Sequence, residues 1–317
     1  MIVEGIREKK AEKGNGQIGE REKPSSKIKR QNAVQAAAAL ADVETAFVGA
    51  AGKGAAMIKR WENLTRDEIA ALDKDRTIVL LPTSATEQHG PHLPVGTDAV
   101  ILSSLIDRII AQGDDAFEKG NLIFAPQLPI GKSNEHMGFA GTITFSAQTY
   151  YALLHDIAKS IADSGFKKLV LFNSHGGNTD MLNLISRDLR IDLGLEVFVI
   201  DWWFTDFWAD GLKDIQQSGK YGVFHACELE TSLMLEARPE TVHMELAVDE
   251  DPAECFRGDK YVTVFGPVNA GWKTADVTKS GVIGAPTFAT VEKGQKLFDY
   301  ACRKLLDIFA EIADISY

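Results

Sequence analysis

The chain has few cysteines, and their spacing suits neither a disulfide framework nor a structural zinc site. Its 317 residues include three, Cys227, Cys255 and Cys302, which are far apart and lack any CxxC spacing. Disulfide-rich domains and zinc ribbons need paired or closely spaced cysteines, so both classes are excluded. The pattern is typical of a reducing compartment and predicts a cytoplasmic protein.

Other absences narrow the possible functions further. No apolar run reaches the ~18 residues of a transmembrane helix, so we predict no membrane association. The formal net charge is -11, and no basic stripe interleaved with aromatic residues is present, which argues against a nucleic-acid partner. The strand predicted at Thr77–Thr83 is followed by TEQHG instead of GxGxxG, so a dinucleotide-binding oxidoreductase is set aside.

The composition divides the chain into two parts. Overall it is 45% hydrophobic and 25% charged, as in globular proteins with a sizeable core. Residues 1–56 differ, because they are first Lys/Glu/Gly-rich and then Ala/Gly-rich, with almost no apolar periodicity at the start. We predict that residues 1–56 are a disordered or non-native N-terminal extension and that residues 57–317 form one catalytic domain.

Strand and helix patterns alternate through that domain. Such alternation predicts an α/β fold with a mainly parallel sheet and helices on both faces, a three-layer α/β/α arrangement. The capping box at Thr65 predicts a short first helix. The predicted strands are Thr77–Thr83, Asn121–Gln127, Lys168–Ser174 and Leu195–Trp203, and the main helices are 99–111, 146–163, 179–193, 224–237 and 291–312.

The loop Thr86–Asp98, TEQHGPHLPVGTD, concentrates polar residues directly after a predicted buried strand. Glu87, His89, His92 and Asp98 are side chains of the kinds that Zn²⁺ and Mn²⁺ bind in hydrolytic sites. In parallel sheets, functional sites form where loops leave the carboxyl ends of strands. A solvated surface loop would explain the same residues, so this loop alone does not decide between the two.

Three further clusters hold residues that could act with this loop. The segment NSHGGN (173–178) places a histidine and two glycines after a strand, although a tight turn capped by Asn178 would also explain it. In HACELETS (225–232), His225 and Glu228 would share a helix face while Glu230 points elsewhere, unless the acidic residues simply favour the helix start. SNEH (133–136) adds Glu135 and His136, which surface residues would explain equally well.

Taken together, the four clusters resemble the creatininase (creatinine amidohydrolase) family. TEQHGPHLPVGTD and GKSNEHMGFAGTIT are similar to two of its signatures, NSHGGN to its NGHGGN element, and HACELETS to its HAGExETS element. SGVIGAPTFATVEKG (280–294) is also similar to a family motif. The resemblance runs in consistent order from about Ile58 to Phe309 and leaves residues 1–56 unexplained.

The resemblance implies a centre of two divalent ions per chain. Glu87, Asp98 and His175 would hold one ion, and His89, Asp98 and Glu228 the other, with Asp98 bridging. Oxygen and nitrogen ligands without thiolate suit Zn²⁺ and/or Mn²⁺, with Fe²⁺ also possible. Of the remaining residues, His225 would carry a proton to the leaving nitrogen, and Glu135 and His136 would act beside the metals or face the substrate.

The substrate side of the site departs from creatininase itself. Creatininase has a glutamate ligand where this chain has Gly177, and a tryptophan where it has Tyr221. Ala140 and Cys227 also differ from the family motifs. These differences leave creatinine itself uncertain as the substrate. We predict that the substrate is bound by Tyr221, Trp202, Trp203, Gly176, Gly177 and Asn178; core packing is the alternative for the tryptophans.

The resemblance implies hydrolysis of a C–N bond, other than a peptide bond, in a small cyclic or linear amide by a water that two metal ions activate; creatinine and other cyclic amides are the first candidates. Other members of the family make a formamide-bearing pyrimidine or a short peptide possible substrates. From another class, a non-catalytic small-ligand-binding protein on the same fold is the alternative, although no predicted ligand residue is missing. The resemblance also suggests a homo-oligomer, by analogy a hexamer.

Overall fold

The computed structural model describes residues 56–203, 205–208, 211–258, 261, 268 and 270–317. The N-terminal extension predicted for residues 1–56 therefore lies, apart from Ala56, outside the described residues, and the domain boundary stays a prediction. No helix within the described ranges is both long and apolar enough to cross a membrane.

A five-stranded, fully parallel sheet forms the centre of the domain, in the order β1-β3-β2-β4-β5. The second strand, TIVLLPT, has the predicted bounds, whereas the third ends earlier than expected. The first strand was not predicted, because its four residues, MIKR, include two basic ones. The strands are β1 Met57–Arg60, β2 Thr77–Thr83, β3 Asn121–Phe124, β4 Lys168–Asn173 and β5 Glu196–Asp201.

Helices cover both faces of the sheet, which confirms the predicted three-layer α/β fold. A complete capping box at Thr65 begins the first helix, and the Ser146 hydroxyl caps the third. The helices are α1 Arg66–Ala71, α2 Thr97–Ala111, α3 Ala147–Asp163, α4 Thr179–Leu193, α5 Thr205–Trp208, α6 Glu228–Ala237, α7 Thr274–Val277 and α8 Val291–Asp314.

The alternation of side chains along β2 creates two hydrophobic cores. Ile78 and Leu80 point to the side covered by α2, α6 and α8, and Val79 and Leu81 point to the side covered by α3 and α4. Because both faces of the strand are buried, it needs a continuous apolar run, and TIVLLPT is one. The buried sheet leaves the loops at the carboxyl ends of β2 and β4 on one edge, where polar side chains collect.

A glycine allows α6 and α8 to approach each other closely. A Cβ added at Gly294 would lie 2.0 Å from the carbonyl oxygen of Ser232, which is backbone and cannot move aside easily. We expect Gly294→Ala to lower the free energy of unfolding by about 2 kcal/mol, since overpacking outweighs the gain in helix propensity. Chemical denaturation measures this. Gly219→Ala, whose Cβ would meet nothing within 4 Å, is the control; equal stability of both variants would contradict the close packing.

Candidate metal centre

The loop after β2, the start of α2, the end of β4 and the start of α6 meet at one buried site. Glu87 and His89 lie on the loop, and Asp98 is in the first turn of α2. His175 follows β4, and its backbone N–H donates to the side-chain oxygen of Asn173. Glu230 reaches the site from α6. All these side chains are buried. They converge at the carboxyl ends of the strands, which is the location that the sequence predicts for a site.

Asp98 stands between two histidines. Its Oδ1 lies 3.2 Å from His89 Nε2, and its Oδ2 lies 3.3 Å from His175 Nδ1. The backbone carbonyls of Glu87 and Lys132 accept from His89 Nδ1 and His175 Nε2, respectively, at 3.1 Å each. Because a carbonyl can only accept, those nitrogens carry a hydrogen, and in the neutral rings the lone pairs face Asp98. This carboxylate therefore has the position that a bridging ligand needs.

Three imidazole rings lie close to the Glu87 carboxylate. Its Oε2 lies 3.3 Å from His175 Nε2, and its Oε1 lies 3.5 Å from His136 Nε2 and 3.7 Å from His225 Nδ1. Burial alone would raise the pKa of Glu87, but His175 and His136 hold this pKa well below its usual value. Glu87 is therefore an anionic group at the centre of the cluster.

The electrostatic balance of the site favours bound positive charge. Burial would lower the pKa of His89 and of His175, but nearby carboxylates, Asp98 for His89 and Glu87 for His175, raise both pKa values well above the usual one. The pKa of Asp98 is lowered, since His89 outweighs the effect of burial. A cation held by these carboxylates could replace the protons on the two rings.

Buried atoms without hydrogen bonds test whether the residues fit metal ions. Among the described residues, Glu87 Oε2, His89 Nε2 and Asp98 Oδ2 are fully buried and have no hydrogen-bond partner. Unsatisfied buried polar atoms are costly, and all three are metal-ligand types. Carboxylate oxygens and imidazole nitrogens also lie within 4.8 Å of one another in four groups, so the site fits divalent ions. The groups are Glu87/His89/Asp98, Glu87/Glu135/His175, His89/His225/Glu230 and Glu87/His136/His225.

Glu228, predicted as a ligand, is not in this cluster. Its carboxylate accepts from the backbone N–H groups of Gln217 and Ser218 and lies 2.5 Å from Lys293 Nζ. Burial would raise the pKa of Glu228, but Lys293 and these hydrogen bonds lower it. The carboxylate that reaches the site is that of Glu230, whose Oε1 lies 3.7 Å from His89 Nε2. The predicted grouping is thereby corrected.

The error came from the position of the helix start. The predicted helix 224–237 would have placed His225 and Glu228 on one face, but α6 begins at Glu228. Ala226 has a φ of 52°, in the left-handed region, and the backbone of His225 pairs instead with Ile283. His225 is thus outside the helix. On α6 itself, residues two apart point in nearly opposite directions, so Glu230 faces the site and Glu228 the opposite side.

The aromatic residues predicted to bind substrate have different surroundings. Trp202 is fully buried and stacks on Trp203 at a centroid distance of 4.6 Å, so it belongs to the core, which corrects its prediction as a binding residue. Trp203 is half-buried, and its indole N–H donates to the backbone carbonyl of Ser174, beside the site. Tyr221 is also half-buried and donates its hydroxyl to the Arg257 carbonyl at 3.1 Å.

The HGGN turn serves mainly to shape the site. Asn178 is buried; its Oδ1 accepts from Lys132 N–H, and its Nδ2 donates to Asn173 Oδ1, so the predicted role in substrate binding is corrected to a structural one. A Cβ at Gly177 would lie 2.4 Å from Glu135 Oε1 and 2.5 Å from His175 Nε2, whereas one at Gly176 would meet nothing within 4 Å. Glu135 fills the space beside Gly177.

Glu135 and the remaining histidines complete the surroundings. Burial raises the pKa of Glu135, whose side chain keeps 19% exposure and lies 3.8 Å from His175 Nε2. Burial lowers the pKa of His136 to about 3 and, together with His89, lowers that of His225. His92, the second histidine of the loop, is buried with its Nε2 2.9 Å from Thr231 Oγ1, and burial lowers its pKa to about 4.

Comparison with known proteins identifies the family. Residues 62–309 match the family model Creatininase, described as creatinine amidohydrolase. The chain belongs to the creatininase family. The resemblance seen in its motifs is thereby confirmed.

Curated proteins with sequences similar to this chain carry different hydrolase names. The mycofactocin precursor peptide peptidase of Mycobacterium ulcerans (strain Agy99) is 31% identical over 223 residues, covering 69% of this chain and 79% of the relative. The creatinine amidohydrolase of Pseudomonas putida is 27% identical over 250 residues, covering 74% and 89%. The relatives thus include enzymes named for a peptide and for a cyclic amide.

A solved structure supports the same fold. The structure named Creatininase Mn superposes with a TM-score of 0.65 at 25% identity, covering 81% of this chain and 99% of that one. Another creatininase structure is named as a Zn–Zn type. The names of these two structures thus refer to Mn and to Zn.

Proposed function

We propose that this creatininase-family hydrolase cleaves a C–N bond of a small amide with the help of two divalent ions. The observation that carries the proposal is the position of Asp98, whose two oxygens face the lone pairs of His89 and His175 at 3.2 and 3.3 Å. Asp98 would bridge the ions, with Glu87 and His175 on one side and His89 and Glu230 on the other. Zn²⁺ and Mn²⁺ both suit this donor set.

Bound divalent ions would acidify a water molecule and polarise the amide carbonyl. The protein's own groups would manage the protons. His225, buried beside Glu87 and Glu230, would carry a proton to the leaving nitrogen, and Glu135, partly exposed with a raised pKa, would meet the substrate. A cyclic amide is the substrate class proposed first; formamides and short peptides follow. A cytoplasmic location and homo-oligomeric assembly are parts of the proposal that rest on resemblance.

The test combines metal content with a substrate panel. The purified protein is expected to contain about two Zn²⁺ or Mn²⁺ ions per chain. It should hydrolyse at least one compound among lactams including creatinine, formamides and short peptides, and dialysis against a chelator should abolish the rate until metal is restored. Retained activity in metal-free protein would contradict the mechanism. Ligand binding without hydrolysis of any compound would favour the non-catalytic alternative.

A further inference from the structure

Gln88 lies between two of the proposed metal ligands, and its side chain contacts two histidines. The side chain is buried, and its Nε2 lies 2.9 Å from His136 Nδ1 and 3.1 Å from His225 Nε2. The same nitrogen lies 3.1 Å from the Gly281 carbonyl oxygen, and Oε1 lies 2.9 Å from Gly90 N. Neither the motifs nor the proposed reaction gives this residue a role.

The orientation of the amide is fixed by backbone groups on both ends. The Gly90 N–H can only donate, so the atom facing it must be the amide oxygen. The Gly281 carbonyl can only accept, so the atom facing it must be the amide nitrogen. Exchanging the two ends of Gln88 would break both hydrogen bonds. The two histidines consequently face an N–H donor.

A second carbonyl determines the tautomer of His225. Its Nε2 lies 2.9 Å from the backbone oxygen of Gln88, which can only accept. The hydrogen of the neutral ring is therefore on Nε2, and this nitrogen cannot also accept from the Gln88 amide. The lone pair is on Nδ1, which lies 3.7 Å from Glu87 Oε1.

The tautomer of His136 follows from the hydrogens of the Gln88 amide. The Gln88 amide has two hydrogens; one is donated to Gly281, and His136 Nδ1 is the acceptor left for the other. The Thr274 hydroxyl also lies 3.1 Å from this Nδ1. The ring hydrogen of neutral His136 is therefore on Nε2, 3.5 Å from the same Glu87 Oε1.

We propose that Gln88 is a positioning residue that holds His225 and His136 in the same neutral tautomer, with the hydrogen on Nε2, so that the two rings turn opposite nitrogens toward Glu87. Two different groups then face the site. The unprotonated Nδ1 of His225 is suited to take up a proton, and the Nε2–H of His136 is suited to donate a hydrogen bond to a developing oxyanion. The use of these groups in amide hydrolysis rests on the proposed function, but the tautomers do not. A metal ion shared by Glu87, His136 and His225 is incompatible with the proposal, because it needs a bare Nε2 on His136.

The C-terminal motif at 280–294 contributes through Gly281. This glycine has a φ of 87°, and a Cβ there would lie 2.1 Å from Gln88 Oε1. The neighbouring Ile283 exchanges two backbone hydrogen bonds of 2.9 Å with His225. The segment thus holds both the ring and the amide that orients it.

Long-range ¹H–¹⁵N correlation spectra of protein labelled with ¹⁵N-histidine read the tautomers directly. Spectra are recorded at neutral pH on metal-free and Zn²⁺-loaded protein, with His136→Asn and His225→Asn assigning the signals. We expect an Nε2–H pattern for both rings. If a bound ion contacts His225 Nδ1, the ¹⁵N chemical shift of that nitrogen should change on metal loading. Gln88→Met should give a mixed tautomer pattern for His136, and Gln88→Glu, which replaces the donor by an acceptor, should move its hydrogen to Nδ1.

A kinetic measurement complements the spectra once a substrate is found. Gln88→Met should lower kcat by about 10- to 100-fold with KM and metal content nearly unchanged, as for other residues that orient a site. Gly281→Ala should reproduce the spectral change, and Gln112→Met, at the exposed end of α2, should alter neither readout. An Nδ1–H pattern for His136 in the wild type, or an unchanged pattern in Gln88→Met, would overturn the proposal. Absence of hydrolysis would instead count against the proposed function.

Discussion

Replacing Glu230 by glutamine is expected to remove one of two bound ions and lower the hydrolytic rate by about 10³-fold. Glu230 places a carboxylate oxygen 3.7 Å from His89 Nε2 and, with His89 and His225, forms one group that could hold an ion. A glutamine side chain keeps the shape but loses the negative charge that binds a divalent cation. If one ion contributes about 4 kcal/mol to the transition state, its loss corresponds to about 10³-fold.

Glu228→Gln is the matched control, because it makes the same chemical change two residues away on the same helix. Away from the cluster, the Glu228 carboxylate pairs with Lys293 and accepts hydrogen bonds from the backbone N–H groups of Gln217 and Ser218. We expect this variant to lose about 3 kcal/mol of stability, since a buried lysine loses its partner, but to keep both ions. Elemental analysis and thermal denaturation compare the two variants. Loss of metal in Glu228→Gln with retention in Glu230→Gln would restore the original ligand prediction.

Much of the fold could be predicted because it depends on local patterns. TIVLLPT is a short, mostly apolar run rich in β-branched residues, which is typical of a strand buried on both faces, and β2 was predicted with its observed bounds. Capping residues such as Ser146 can be recognised in the sequence, because their side chains accept hydrogen bonds from backbone N–H groups only a few residues away. The strand MIKR was missed, because its pairing with β3 depends on residues far along the chain.

The site was predictable where ligands lie on loops that leave strands. Glu87, Asp98 and His175 follow or border β2 and β4, so the parallel sheet alone brings them to one edge. Glu230 could not be chosen over Glu228, because the choice depends on where α6 begins. That start is set by the left-handed conformation of Ala226 and by pairing with Ile283, far away in sequence. Likewise, Lys293 gives no local sign that it will hold Glu228.

The predicted tryptophan pocket shows a different limit of sequence reasoning. Aromatic residues after a strand can line a pocket or fill a core, and composition does not separate the two. The structure puts Trp202 in contact with Trp203, Phe207 and Trp208, within the core beside α8. Trp203, one residue later, reaches Ser174 at the edge of the site. Adjacent residues in the same pattern thus have separate roles.

Asp98→Asn is expected to abolish binding of both ions and to lower the rate by about 10⁴-fold or more, because both proposed ion sites share this carboxylate. In the wild type, one Asp98 oxygen faces His89 and the other faces His175. The asparagine amide keeps only one of these oxygens, loses the negative charge and turns an N–H group toward the other histidine. The ligand that joins two ions should therefore matter more than one that contacts a single ion. Elemental analysis tests the metal content without knowledge of the substrate.

Metal-induced stabilisation gives a second measurement of the same prediction. Each ion present at 100 times its Kd for the folded state stabilises the wild type by about 2.7 kcal/mol, and the Asp98→Asn variant should show almost none of this gain. Asp107→Asn, on the same helix, is the control: its exposed pair with Arg60 contributes at most about 1 kcal/mol, so the metal response should persist. If Asp98→Asn kept both ions and the full stabilisation, Asp98 would not be a bridge, and the two ions would need separate ligand sets.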